Sequence, residues 1–97
     1  MTAVSAPGDE PMEVVWTAPA RRDLSRLPPR IASVILNYVD ERLATNPARM
    51  SKPLTGALQD LRSARSGDYR VLLRLIEAER QLIIIRVDHQ AHAYRRS

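Results

Sequence analysis

Two β-prone runs, Tyr69 to Ile76 and Gln81 to Val87, stand on either side of the polar turn Glu77-Ala78-Glu79-Arg80, and this hairpin constrains the fold more than any other feature. Strand alternation puts Tyr69, Val71, Leu73 and Leu75 on one face and Arg70, Leu72, Arg74 and Ile76 on the other. The first face is apolar and must be covered, because an isolated hairpin is marginal in water. The second is mixed, and Leu72 and Ile76 on it point to partial cover or to a partner. Ser66-Gly67-Asp68 supplies a turn before Tyr69, and Leu58 to Arg65 reads as an imperfect preceding strand.

The cover comes from the N-terminal half. Ile31, Val34, Ile35, Tyr38, Val39 and Leu43 recur at helical spacing between Pro28-Pro29 and Asn46-Pro47, which fits one amphipathic helix stopped by proline geometry. Before it, Thr17 is a suitable N-cap, Pro19 is tolerated in the opening turn, and Ala20, Leu24 and Leu27 share a stripe. Val14-Val15-Trp16-Thr17 is a short first strand, and residues 48–57 read as a loop. Leu36 is assigned a core role over an interface role. The expectation is an α+β fold, two N-terminal helices packed on a small antiparallel β-sheet. Residues 1–12, rich in Ala, Pro, Gly and acidic side chains, read as a disordered tail before a single domain at 13–97.

At 97 residues there is room for one modest core. The absence of cysteine leaves packing to carry the fold without disulfides or thiolate metal sites. No apolar run approaches the ~20 residues that a membrane helix requires, so a cytoplasmic protein is expected. Residues 1–41 carry four basic and six acidic side chains, whereas residues 42–97 carry eleven and five. A field polarised in this way favours phosphates or an acidic partner. Fourteen of the fifteen basic residues are arginine, whose planar guanidinium binds phosphate through two parallel hydrogen bonds.

The polar side of the hairpin gathers Arg70 with the segment Asp88-His89-Gln90-Ala91-His92-Ala93-Tyr94-Arg95, a set suited to polyanions. Asp88, His89 and His92 make too thin a ligand set for a metal centre, and no metal or other cofactor is expected. Gly-rich phosphate loops, dinucleotide fingerprints and Ser/His/Asp arrangements are missing.

Val15-Trp16-Thr17, Ala20-Arg21-Arg22-Asp23-Leu24, Arg26-Leu27-Pro28, Asn46-Pro47, Lys52-Pro53-Leu54, Ala64-Arg65, Gly67-Asp68-Tyr69-Arg70-Val71, Arg86-Val87-Asp88-His89 and Tyr94-Arg95 follow one another in an order that resembles the RelE/ParE toxin superfamily, on the RelE side. The resemblance spans about residues 13–96. It implies a toxin of a type II toxin–antitoxin pair that cleaves messenger RNA on the ribosome, without metal, by attack of a ribose 2′-OH on the adjacent phosphodiester. Arg70 is then the group that stabilises charge at phosphorus, with Arg65 orienting the backbone, His89 as acid or base, and Tyr94 stacking on a base or donating a proton. Arg62, Lys52, Arg86 and Arg95 are expected to bind RNA phosphates.

Two departures stand out. Gln90 occupies a position where many relatives carry arginine, and Leu61 and Ser63 lie where some carry lysine. Two alternatives stay open: a ParE-like toxin acting on DNA gyrase, and a non-catalytic nucleic-acid-binding or corepressor protein of the same fold. The resemblance also implies a RelB-like antitoxin as partner, a hetero-oligomer that binds operator DNA through that antitoxin, and the ribosome with its mRNA as target.

Overall fold

The computed structural model describes residues 11–54, 56 and 60–89. Strand β1 (Glu13–Trp16) leads into helices α1 (Ala18–Ser25) and α2 (Pro29–Tyr38); a short helix α3 (Pro47–Met50) follows, then β2 (Lys52–Pro53), β3 (Arg62–Ser66), β4 (Tyr69–Ile76) and β5 (Gln81–His89). The sheet order is β1-β5-β4-β3-β2. The expected α+β architecture is present, with one difference: β1 pairs parallel to β5, from Glu13↔Gln81 to Trp16↔Ile84, so the sheet is mixed. Every other pairing is antiparallel.

Thr17 caps α1 as its position suggests. Its hydroxyl accepts from the Ala20 N–H at 3.2 Å and donates to the Ile84 and Ile85 carbonyls at 2.9 and 3.0 Å, so one side chain both starts the helix and ties it to β5. Proline follows in the first turn of α1 and α2, where its missing N–H costs nothing. After Tyr38 the helix widens into a π-helical turn over Val39–Leu43, closed by the Ala44 N–H donating to the Val39 carbonyl at 2.8 Å. The wider turn lets Val39, Leu43 and Ala44 all enter the core.

The core lies between α1, α2 and one face of the sheet. Val71 and Leu73 of β4, Leu82 and Ile84 of β5, and Ile35, Val39 and Leu43 from the helical layer are almost fully buried. Leu82 and Ile84 have one strand parity and Val87 the other, yet all three are buried. The register explains it: Leu72 pairs with Arg86 and Leu73 with Ile84, so Ile85 is an extra residue in a β-bulge that re-phases β5.

Several expectations are corrected. Residues 48–57 are not wholly loop, because they contain part of α3 and all of β2. Val34 is 54% exposed and Leu36 is 37% exposed, so Leu36 is a surface residue rather than a core one. Met12, placed in the tail, donates its N–H to the Ala44 carbonyl at 2.9 Å and packs on the core. The first strand of the three-stranded run begins, among the described residues, at Arg62.

Candidate functional site

Ala64, Val71 and Val87 pair across β3, β4 and β5, and all are buried beneath the helices. Their chain neighbours therefore face the opposite, helix-free side. On that side the register aligns Arg65, Arg70 and Asp88 in one row and Lys52, Ser63, Leu72 and Arg86 in the next. Two arginines directly opposite one another repel, at a cost of up to ~1 kcal/mol in such cross-strand pairs. The pairing concentrates positive charge on this face. Asp88 flanks Arg70 from β5, and Lys52, exposed on β2, lies beside Ser63. Lys52, Ser63 and Arg65 line one recess, which places a cation beside Ser63.

Other expected phosphate ligands do different work. Arg62 falls on the helix side, where its Nε donates to Ser51 Oγ at 2.7 Å and its Nη2 donates to the carbonyls of Ala48 and Ser51 at 3.2 and 3.0 Å. Ser51 is buried, and its hydroxyl donates to the Pro47 carbonyl at 2.6 Å. Arg62 therefore clamps α3 and β2 to β3. Arg86 forms a two-point ion pair with Asp23 of α1, Nε to Oδ2 at 2.8 Å and Nη2 to Oδ1 at 3.1 Å. The same Asp23 carboxylate accepts the Val87 N–H at 2.8 Å. β1 ends opposite Ile84, so Asp23 serves as the edge acceptor that β5 would otherwise lack.

Burial by itself would raise the Asp23 carboxyl. The Arg86 and Val87 hydrogen bonds, with the charges of Arg86 and Arg26, outweigh it and hold the group below its ordinary value. Arg86 is shifted upward, first by its hydrogen bond to Asp23 and then by that carboxylate's charge.

His89 does not share the face of Arg70. It pairs with Tyr69 and has the parity of buried Val87, and the two rings meet edge to face with centroids 5.1 Å apart at 80°. That packing fixes the end of β5 and separates His89 from the arginine row. Tyr94, Arg95, Gln90 and His92 lie outside the described residues. Among the described residues, no group of three or more His, Asp or Glu side chains is arranged to hold a metal ion. Sequence reasoning passed over Asp23, Arg22 and Arg26; the i, i+4 spacing of the two arginines was the available signal.

A helical layer on one face of a small mixed sheet, with an arginine-bearing open face behind it, defines an α+β module with one cationic side. The match to known proteins is specific: residues 14–94 fit the family described as the ParE toxin of the type II toxin–antitoxin system parDE. The chain is 43% identical over 86 residues to toxin RelG of Mycobacterium tuberculosis, covering 89% of this chain and 99% of the relative, and 41% identical over 87 residues to toxin RelE of the same organism, covering 90% of each. A solved structure of the toxin–antitoxin complex RelBE2 from M. tuberculosis superposes with a TM-score of 0.80 at 42% identity, covering 84% of this chain and 93% of that one. The archaeal RelE–RelB complex of Pyrococcus horikoshii shares the fold with a TM-score of 0.65 at 22% identity, covering 84% and 97%. This chain belongs to the ParE-toxin family of type II toxin–antitoxin systems, within which it is RelE/RelG-like.

Proposed function

We propose that this toxin is a metal-independent endoribonuclease that cuts mRNA on the ribosome, and that a RelB-like antitoxin holds it inactive. The observation that carries the reading is the Arg65–Arg70 cross-strand pair on the open face of the sheet, with Lys52 in the adjoining row. In the reaction a 2′-OH loses its proton and its oxygen bonds to phosphorus. The bond to the 5′-oxygen breaks, and that oxygen takes up a proton, leaving a 2′,3′-cyclic phosphate and a 5′-hydroxyl.

Charge builds on the non-bridging oxygens as phosphorus becomes five-coordinate. A guanidinium held in a strand meets that charge with little reorganisation, which is where such donors contribute most. Arg70 takes this role, Arg65 grips the neighbouring phosphate, and Lys52 supplies a further cation. Tyr94 is the proposed stacking or proton-donating group. His89, packed on Tyr69, is assigned the positioning of the strand end that leads to Tyr94 rather than proton transfer.

Among the described residues no helix is long and apolar enough to cross a membrane. We assign the protein to the cytoplasm, where the ribosome and mRNA are, and we assign operator binding to the antitoxin in complex. The resemblance on the RelE side implies RNA cleavage, and the M. tuberculosis relatives carry RelE and RelG names. The test is induced expression followed by mapping of mRNA 5′ ends. Wild type should generate new 5′ ends within coding regions, and Arg70→Ala should reduce them by about a hundredfold or more, the usual cost of removing one donor to a developing oxyanion. Growth arrest with intact messages and broken gyrase–DNA complexes would instead support the ParE-type target.

A further inference from the structure

We propose that Arg22 and Arg26 of α1 form, beside the Arg86–Asp23 ion pair, a second phosphate subsite that grips the RNA backbone beyond the Arg65–Arg70 face. The inference rests on the RNA reading above and extends it to a surface outside the sheet.

Between residues 17 and 38 the chain carries four arginines and a single acidic residue, Asp23. That carboxylate already accepts three hydrogen bonds, two from Arg86 and one from the Val87 N–H. Asp23 feels the charge of Arg26 as well, but one carboxylate faces several guanidinium groups and its hydrogen bonds go to Arg86 and Val87. Arg22 lies in the last turn of α1 and Arg26 is its C-cap, four residues on, so the two stack on one side of the helix. Both are exposed, and neither forms an ion pair among the described residues. Cations near a helix C-terminus complement the macrodipole, which accounts for their tolerance there but not for what surrounds them.

Their surroundings form a channel. Arg22, Arg26 and Arg86 line a recess of about 310 Å³. It shares Asp23, Arg26 and Arg86 with a larger recess of about 540 Å³, which runs past Leu27 to Tyr69 and His89 and also borders Asp88. Asp88 is the cross-strand partner of Arg70, one strand spacing of about 4.8 Å away. The trough therefore runs along the edge of β5, from Asp88, which shares the row of Arg70, to α1. Asp23 matches Arg86, and Arg22 and Arg26 leave the helical end cationic, so the chemistry fits the phosphates of a single RNA strand.

The test uses the full-length chain and 5′-labelled, 2′-O-methylated RNAs, which cannot be cut, of three and of twelve nucleotides, with binding followed by fluorescence anisotropy. The variant R22Q/R26Q removes both charges and keeps the side chains' length. It should bind the twelve-nucleotide RNA about tenfold more weakly, with the salt slope reduced by roughly 1.4, the value for two lost phosphate contacts on a single strand. Affinity for the trinucleotide should not change. Arg70→Ala should weaken both RNAs.

If R22Q/R26Q binds the longer RNA like wild type while Arg70→Ala does not, the subsite is refuted and the RNA reading stands. If Arg70→Ala also binds both RNAs normally, the RNA reading itself fails and the subsite with it. Weaker antitoxin binding by R22Q/R26Q with undiminished RNA affinity would assign these arginines to the protein interface and overturn the proposal. A matching thermal melt for R22Q/R26Q excludes a folding defect.

Discussion

Removing the Asp23 carboxylate should destabilise the fold in a way that depends on pH. Its side chain is 10% exposed and holds both the Arg86 guanidinium and the Val87 N–H. In Asp23→Ala the Val87 N–H loses the carboxylate acceptor at 2.8 Å, at a cost of about 1–3 kcal/mol for a partly buried donor. The Arg86 pair adds less, because the Arg86 side chain is 52% exposed and solvent screens it; about 0.5 kcal/mol is a fair allowance.

The sum, about 1.5–3.5 kcal/mol, corresponds to a Tm lower by roughly 7–17 °C for a domain of this size. Asp23→Asn keeps an acceptor for Val87 and loses only the charge, so about 1 kcal/mol is expected. Because the folded-state pKa of Asp23 lies below its ordinary value, its contribution is fully present above the unfolded pKa of about 3.9 and is lost as pH falls through the folded value. Urea unfolding of wild type and Asp23→Asn should therefore differ at pH 7 and converge in acid, below pH 4. An equal gap at both pH values would refute the charge-based account, and an Asp23→Ala loss under 0.5 kcal/mol would refute the role as strand-edge acceptor.

Arg62→Ala removes three hydrogen bonds to the α3–β2 segment, and the melt should show a loss of about 1–3 kcal/mol with trinucleotide RNA affinity unchanged. Gly67 has φ +60° with open space where a Cβ would sit, so Gly67→Ala should cost only the left-handed backbone penalty, about 1 kcal/mol by urea unfolding, and Gly67→Asn less. His89→Ala forfeits the edge-to-face contact with Tyr69 and should lower stability by about 0.5–1.5 kcal/mol. In the 5′-end mapping assay it should lose far less cleavage than Arg70→Ala; a loss as large would return His89 to proton transfer.

The β4–β5 hairpin and the α2 stripe were legible because each repeats one periodicity over eight or more residues. Ile83-Ile84-Ile85 was not, since three identical apolar side chains in a row suit either face and conceal the bulge that reverses parity before Val87. The Asn46-Pro47 stop was read correctly as an ending but not as a beginning. Pro47 occupies the first turn of α3, and Pro53 fits an edge strand of two residues, too short for any alternating pattern to register. The parallel partner of β1 lies 68 residues away and leaves no local trace.

Strand alternation placed Arg70 on the open face, whereas Arg65 entered through the family resemblance and its position opposite Arg70 came with the register. Arg62 and Arg86 show the limit of that reasoning. Their side chains are chemically the same as those of the phosphate candidates, and only tertiary partners, Ser51 for one and Asp23 for the other, determine that they are structural.

The first strand of this chain finds its neighbour only in the last. Until Gln81 through Ile84 have been synthesised, Val14 and Trp16 have no strand to join and the edge of the sheet cannot close. Contacts between such distant parts of a chain form late and slowly. A nascent copy of this toxin therefore cannot complete its sheet before Ile84 has been added, however early its helices form.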